Sequence, residues 1–189
     1  MNIHELKSFY ITDSLLNHAD INAQLLKNIS DSGSTSLRDK HDSITKLDWQ
    51  YSHNGNRHWV KEFMPHLQSK LEEIMDNLGY QRPLIHELWF QQYSKNDTHD
   101  WHIHGHNFTG VYYVELGNDA PKTELIIPYT QETITPKVEV GTILVFPSYV
   151  VHRAPIIDKN IRKTIVSFNF DASELSSAKL DKLHGENNV

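Results

Sequence analysis

The sequence of 189 residues contains no cysteine, no long apolar run and no excess of positive charge. Without cysteine, disulfide bonds and thiolate zinc sites are excluded, so a metal could bind only through nitrogen and oxygen ligands. Acidic residues outnumber basic ones by 24 to 18, and this balance argues against nucleic acid as a partner. No apolar segment reaches membrane-spanning length, and the first residues lack the apolar stretch of a signal peptide. We therefore expect a cytoplasmic protein with neither a membrane nor nucleic acid among its partners.

Histidine, in contrast, is frequent, and three copies occupy alternate positions at His102, His104 and His106, just before the strand-like stretch 108–116. On an extended backbone, side chains two residues apart point to one face, so the three imidazoles could meet. Neutral imidazole is the commonest metal ligand in proteins. The pattern is consistent with a metal site, and on its own a half-buried strand or a solvated loop rich in histidine explains it equally well.

Helical spacing is clearest in the first part of the chain, and the polar tail from Asp171 has room for one further short helix. Apolar residues recur every three or four positions from about Thr12 or Asp13 to Ile29, and again over about 58–78. Gly79 then ends the second pattern, and Pro65 is an alternative start for it. Two helices are therefore predicted before residue 80.

From residue 84 onward the chain is mainly β-prone. Segments rich in β-branched and aromatic residues follow one another about every ten residues, with turn-forming residues between them, which is typical of an antiparallel sandwich or barrel. The length suits a single domain. We expect one domain, 1–189, that is mainly β with N-terminal helices: a helical support region at about 1–80, a β-barrel core at about 84–170 and a polar C-terminal tail at 171–189.

A mononuclear metal site needs a further ligand from a distant strand, and His152 is the best candidate. It lies 50 residues after His102, directly after the predicted strand 141–148. Its neighbours Val151 and Ala154 are apolar, so an imidazole without a bonding partner would be costly there. A lone histidine in such a place is more often a core residue bonded to a carbonyl group, but the upstream His-x-His pair favours the metal.

The order and spacing of five segments resemble the iron(II)/2-oxoglutarate-dependent oxygenase superfamily, and more narrowly its bacterial and phage branch akin to the prolyl hydroxylases. The resemblance covers about residues 84–170 and implies a double-stranded β-helix fold, also called jelly-roll or cupin-like. The five segments are His-x-His (102–104), Thr-Gly-Val-Tyr-Tyr (109–113), Gly-Thr-Ile-Leu-Val-Phe-Pro-Ser (141–148), His152 and Arg-Lys-Thr-Ile-Val-Ser-Phe-Asn (162–169).

This resemblance implies an iron(II) site, which is also the catalytic centre, at His102, His104 and His152. The superfamily generally combines two histidines with one carboxylate. Here His104 occupies the carboxylate position, which leaves the site one negative charge short. Asp100 and His106 therefore remain alternatives for the second ligand position.

The resemblance also implies a cation, at the start of the last strand, for the distal carboxylate of the cosubstrate 2-oxoglutarate. Lys163 and Arg162 are adjacent candidates, and strand alternation allows only one to point inward. Bidentate geometry favours Arg162, whereas the register of the strand favours Lys163. Tyr113 and Tyr93 match positions where hydroxyl groups assist that carboxylate, although a barrel strand needs aromatic residues in any case. Asn169 would approach the metal from the last strand.

The activity implied is that of a dioxygenase that hydroxylates a peptide or protein side chain, or a small molecule, and releases succinate and carbon dioxide. Its partners would be 2-oxoglutarate, dioxygen and a primary substrate that the sequence does not identify; the sequence does not predict an oligomeric state either. Two alternatives stay open. One is a cupin-like tri-histidine metal dioxygenase or isomerase that does not use 2-oxoglutarate, and outward-facing Lys163 and Arg162 side chains would favour it. The other is a non-catalytic barrel that serves as a binding module.

Overall fold

The computed structural model describes Met1, His4 and residues 6–186; residues 187–189 of the predicted tail lie outside this part. Within it the protein is mostly β-sheet, and every strand pairing is antiparallel. No helix of the described chain has both the length and the apolar character needed to cross a membrane. The α-helices are α1 (His18–Asp31), α2 (His58–Asn77) and α3 (Ser177–Glu186).

The strands form one large sheet, one small sheet and one isolated pair. In chain order they are β1 (Ile11–Ser14), β2 (Thr35–Arg38), β3 (Ser43–Leu47), β4 (Tyr80–Gln81), β5 (Leu84–Tyr93), β6 (His99–His102), β7 (Phe108–Leu116), β8 (Glu124–Ile126), β9 (Thr133–Ile134), β10 (Thr142–Pro147), β11 (His152–Ala154), β12 (Lys163–Asp171) and β13 (Glu174–Leu175). The large sheet has the order β1-β10-β7-β12-β5-β3-β2, and the small sheet has the order β6-β11-β8-β9. Strand β13 pairs with β4.

Helix α2 covers one face of the large sheet. It begins at His58, as the spacing predicts, and Pro65 lies inside it rather than at its start. Its apolar stripe packs against side chains of β5, β7, β10 and β12. Burial of each such side chain contributes roughly 1.5–3 kcal/mol, so the stripe fixes the helix on the sheet. The stripe consists of Trp59, Phe63, Leu67, Leu71 and Ile74.

Helix α1 begins later than its apolar pattern suggests. The spacing predicts a start near Thr12 or Asp13, whereas the helix starts at His18. The preceding residues instead form β1, in which Ile11 pairs with Val145 at the edge of the large sheet. Pairing with a distant strand has therefore overridden the local helical preference, as tertiary contacts commonly do.

The opposite face of the large sheet meets the small sheet across a second apolar core. Successive strand residues point to opposite faces, so each long strand contributes alternate side chains to the two cores. Leu88 and Phe90 of β5 pack on the helical side, whereas Tyr93 belongs to the second core. The second core includes Tyr93, Val111, Phe146 and Ile165 from the large sheet and Leu125 and Ala154 from the small one. The candidate site lies in this layer.

Candidate metal centre

Three histidines from two strands and a loop converge between the sheets. His102, the last residue of β6, pairs directly with His152, the first residue of β11, and their ring centroids are 4.2 Å apart. His104 follows two residues after β6, where its backbone amide donates to the Ser148 carbonyl group over 3.1 Å. Its ring centroid lies 5.0 Å from that of His102 and 5.1 Å from that of His152. One ring nitrogen from each of the three lies within 4.8 Å of the others.

Backbone contacts fix the tautomers of two of these rings. His102 Nδ1 lies 2.6 Å from the Asp100 carbonyl oxygen, and His152 Nδ1 lies 3.0 Å from that of Val150. Because a carbonyl group only accepts hydrogen bonds, both Nδ1 atoms carry the proton, and each Nε2 keeps a free lone pair. This is the arrangement that metal-binding histidines show in proteins.

Burial keeps all three imidazoles in the neutral form. It lowers the pKa of His102, holds that of His152 well below its usual range and, together with the neighbouring His102, lowers the pKa of His104 to about 4. At neutral pH the cluster therefore offers three uncharged nitrogen donors, which suit a divalent transition metal.

The two alternative residues for the second ligand position lie elsewhere. The Asp100 side chain is 45% exposed, and its carboxylate lies 3.5 Å from His41 Nδ1. The backbone of His106 is in the left-handed region, with φ of 63°, so the expectation that three alternate imidazoles share one face is wrong at this residue. The structure thus brings His104, rather than Asp100 or His106, to His102 and His152.

His99 is a further member of the site that the spacing did not reveal. Its ring stacks on that of His102 with centroids 3.9 Å apart, and burial, with His102, lowers its pKa to about 3. Residues three apart on a regular strand point to opposite faces. Here the register shifts. The two-residue step from His152 to Ala154 on β11 lies opposite the three-residue step from His102 back to His99 on β6. A bulge of this kind has no simple sequence signal.

The cavity beside the triad is small, and Tyr93 is one of the residues that line it. Its free volume is about 20 Å³, which is room for roughly one water molecule. The Tyr93 hydroxyl group is buried and, within the described chain, has no hydrogen-bond partner. Burial raises the pKa of this tyrosine. Trp89, Gln91, Thr109, Thr123 and Ser167 also line the cavity.

Strand β12 directs its two adjacent cations to opposite sides. Lys163 is 1% exposed, its Nζ lies 4.8 Å from the Tyr93 ring centroid, and it donates to the Pro121 carbonyl group over 3.0 Å. Burial lowers the pKa of Lys163 to about 8. Arg162 lies on the outside, where its Nε and Nη2 donate to the Glu115 carboxylate over 2.7 and 2.8 Å. Of the two candidates, only Lys163 is buried, and it lies against Tyr93, which lines the cavity.

The remaining predicted residues, Tyr113 and Asn169, are both buried and both hydrogen-bonded within the protein. The Tyr113 hydroxyl group donates to Thr123 Oγ1 over 2.7 Å, and burial raises its pKa to about 12. Asn169 Nδ2 donates to Glu87 Oε2 over 2.5 Å and lies 3.4 Å from His104 Nδ1. Glu87, which the sequence did not single out, is therefore the carboxylate linked most directly to His104.

Comparisons with known proteins give matches in structure but not in sequence. No protein-family model matches the chain, and neither does any curated protein. A 2OG-Fe(II) oxygenase family oxidoreductase from Burkholderia pseudomallei has a TM-score of 0.70 and 12% identity, over 88% of this chain and 87% of that chain. A prolyl-4-hydroxylase from Pseudomonas putida has a TM-score of 0.65 and 13% identity, over 85% and 91%.

A third similar structure is a prolyl hydroxylase from Trichoplax adhaerens, in complex with a peptide fragment of the hypoxia inducible factor oxygen degradation domain. Its TM-score is 0.63 and its identity 13%, over 86% of this chain and 83% of that chain. At such identities the likeness concerns the fold. The resemblance noted in the sequence is therefore confirmed at this level: the chain has the fold of prolyl hydroxylases and 2OG-Fe(II) oxygenases.

Proposed function

We propose that this chain is a 2-oxoglutarate- and iron(II)-dependent dioxygenase, built as one domain whose two sheets form the double-stranded β-helix of that superfamily. The observation that carries the proposal is the convergence of three neutral imidazoles, His102, His104 and His152, inside a fold that such enzymes share. Fold alone does not define activity, so the donor atoms of the site are the stronger support.

The three donor nitrogens fit iron(II). Imidazole is a suitable ligand for iron, and the free Nε2 lone pairs of His102 and His152 are already held in place by the backbone contacts of their Nδ1 atoms. The carboxylate common in related sites is absent from the triad. The negative charge of Glu87 favours positive charge at His104. Glu87 therefore compensates part of the missing ligand charge, although it does not belong to the cluster.

The surroundings of the cavity fit a keto acid. A distal carboxylate needs a cation and a hydrogen-bond donor away from water, and Lys163 with Tyr93 provides both. A buried hydroxyl group that lacks a hydrogen-bond partner within the described residues, such as that of Tyr93, is costly, and a carboxylate oxygen would satisfy it. Because Lys163 donates to the Pro121 carbonyl group and the cavity is narrow, this side chain would have to turn to admit the ligand.

When bound, iron and 2-oxoglutarate supply the oxidising chemistry, in which dioxygen gives one oxygen atom to the keto acid, releasing succinate and carbon dioxide, and one to the substrate. The chain holds the donor nitrogens, orients the carboxylate and excludes water. The primary substrate we propose is a peptide or protein side chain or a small molecule.

The test is an anaerobic titration of the metal-free protein with iron(II) and then with 2-oxoglutarate. We expect a visible charge-transfer absorption band on addition of the keto acid, and succinate formation once dioxygen is admitted. Iron binding without the band, with succinate at background, would contradict the proposal.

The same titration separates the two alternatives. The all-histidine donor set is compatible with a cupin-like dioxygenase or isomerase, which would bind iron but show no response to 2-oxoglutarate. A non-catalytic binding module that has lost its metal would bind no iron and would show neither the band nor succinate. The inward position of Lys163 favours the 2-oxoglutarate enzyme over both alternatives.

A further inference from the structure

A second cluster of metal-binding side chains lies outside the triad. It consists of His86, His106 and Asp171, one ligand atom of each lying within 4.8 Å of the others. Asp171 Oδ2 lies 2.9 Å from His86 Nε2 and 3.4 Å from His106 Nδ1. The two imidazole rings stack with centroids 4.4 Å apart and planes 11° from parallel. Two nitrogens from separate segments thus approach one carboxylate oxygen.

Two backbone irregularities create this cluster. Opposite β12, Asn169 pairs with Glu87 and Phe170 pairs with Ile85, so His86 is the extra residue of a β-bulge. Bulges redirect a side chain from the face that alternation would give it. His106 has φ of 63°, a conformation uncommon for residues other than glycine. Without either departure from regular geometry, the two rings would not meet at Asp171.

His106 Nδ1 is hydrogen-bonded to Asp171 Oδ2, whereas His86 Nε2 is placed for a shared ligand rather than for a hydrogen bond. Although 2.9 Å separates His86 Nε2 from Asp171 Oδ2, the pair is not aligned as a hydrogen bond, and this buried nitrogen has no hydrogen-bond partner in the part of the chain described. An orphaned ring nitrogen beside a carboxylate is costly unless both bind something else. The separations of 2.9 and 3.4 Å are close to the roughly 3.3 Å expected between two ligands of a tetrahedral zinc ion.

The carboxylate is held ready by its surroundings. The backbone amide of Asn107 donates to Asp171 Oδ1 over 2.8 Å, which leaves Oδ2 for the cluster. Burial raises the pKa of Asp171, but that hydrogen bond and the neighbouring imidazoles outweigh it and hold the pKa below its ordinary value. A second partner that orients a ligand in this way is a regular feature of metal sites.

We propose that His86, His106 and Asp171 form a second metal site, separate from the triad, for a divalent transition ion such as zinc. Two imidazole nitrogens and one carboxylate oxygen suit an ion of that class rather than magnesium or calcium. The side chains of His86 and Asp171 are each 33% exposed and that of His106 is 28% exposed, so water can fill the remaining position. This proposal does not depend on the oxygenase activity.

The ion would tie three separate segments together. His86 lies near the start of β5, Asp171 ends β12, and His106 belongs to the loop that leaves His104. Its binding would therefore restrain the loop that positions one member of the triad.

The experiment is equilibrium dialysis of the full chain against Zn²⁺, with the bound metal counted per chain. The variants are His86→Ala and Asp171→Asn. The Asp171→Asn change removes the charge of the side chain but keeps its shape. His58→Ala is the matched control, because His58 Nε2 also lies 3.3 Å from a carboxylate, that of Glu62, but belongs to no metal-binding cluster among the described residues. Circular dichroism spectra that match the wild type verify that each variant is folded.

We expect His86→Ala and Asp171→Asn each to bind one equivalent of zinc less than the wild type, and His58→Ala to bind as much as the wild type. If the triad also binds zinc, the wild type holds two equivalents; if the triad does not, the wild type holds one and His86→Ala none. Equal zinc content in the wild type and both cluster variants would overturn the proposal, whatever the triad binds.

Discussion

Lys163 is a buried ammonium group whose neighbours are a carbonyl oxygen and an aromatic ring, and no carboxylate of the described residues pairs with it. If it binds the distal carboxylate of 2-oxoglutarate, Lys163→Met should weaken 2-oxoglutarate binding to the iron-loaded protein by roughly 10- to 150-fold, the value of a charged hydrogen bond of about 1.5–3 kcal/mol. Arg162→Met is the matched control. Because Arg162 pairs with Glu115 on the outside, it should change binding less than about twofold.

Titration of the charge-transfer band with 2-oxoglutarate measures both dissociation constants. A larger loss of affinity in Arg162→Met than in Lys163→Met would reverse the assignment of the two side chains.

At His104 the question is whether the imidazole is a ligand. In His104→Asp a carboxylate would occupy this position, and the donor set would become two histidines and one aspartate, which suits iron(II). We expect iron affinity to be preserved or raised, and the charge-transfer band to persist. Asp100→Ala is the companion variant: it should leave the band unchanged, because His102 contacts the backbone carbonyl group of Asp100 rather than its carboxylate. Loss of the band in Asp100→Ala would make Asp100 the ligand.

At the scale of single elements, sequence patterns predict the long strands well. Strands β5, β7 and β12 are rich in β-branched and aromatic residues and are flanked by turn-forming residues; β5 begins at residue 84, where the β-prone part was expected to begin, and β7 and β12 lie close to their expected positions. The patterns fail where a distant partner decides. Helix α1 loses its expected first turn to the pairing of Ile11 with Val145, and the register shift that turns His99 toward His102 depends on β11. His99 and His102 are three residues apart, a spacing that on a regular strand would direct them to opposite faces.

Gly110 illustrates an element-scale constraint in the Thr-Gly-Val-Tyr-Tyr segment. It lies opposite Phe168 in the β7–β12 pair, and a Cβ atom at this position would lie within 2.8 Å of three atoms of the Phe168 ring. Neither strand at the centre of the sheet can move aside easily, because each is paired on both edges. Gly110→Ala should therefore lower the free energy of unfolding by roughly 3 kcal/mol, at the upper end of overpacking.

Gly105→Ala is the control for this variant, since no atom lies within 4 Å of the added Cβ and its backbone is not left-handed. Urea denaturation should place Gly105→Ala within about 0.5 kcal/mol of the wild type. A Gly110→Ala protein as stable as Gly105→Ala would mean that the strand contact is looser than the structure indicates.

At the scale of the whole molecule, the sequence predicts one polar cluster and misses the other. The triad follows from a His-x-His pair with one distant histidine. The His86, His106 and Asp171 cluster could not be predicted in the same way. Its members come from three segments, and a bulge and a left-handed residue bring them together. Such irregularities arise from the packing of the complete chain.

The global stability should respond to the ionisation of Lys163. Burial lowers its pKa to about 8 from an ordinary value of 10.5, so between these values the unfolded chain binds a proton that the folded protein does not. The free energy of unfolding of the ligand-free protein should therefore be insensitive to this group below about pH 8 and should rise by about 2 kcal/mol between pH 8 and pH 10. Urea denaturation across this range measures the rise.

Lys163→Met isolates this contribution, because other groups titrate equally in both proteins. The difference in unfolding free energy between Lys163→Met and the wild type should be largest below about pH 8, where the wild type keeps a buried charge, and should shrink toward pH 10. Measurements stop there because burial raises the pKa of Tyr93, so ionisation of this tyrosine in the unfolded chain opposes folding at higher pH. A difference that stays constant from pH 7 to pH 10 would mean that Lys163 has an ordinary pKa. The cavity would then lack the dehydrated cation that the keto-acid site requires.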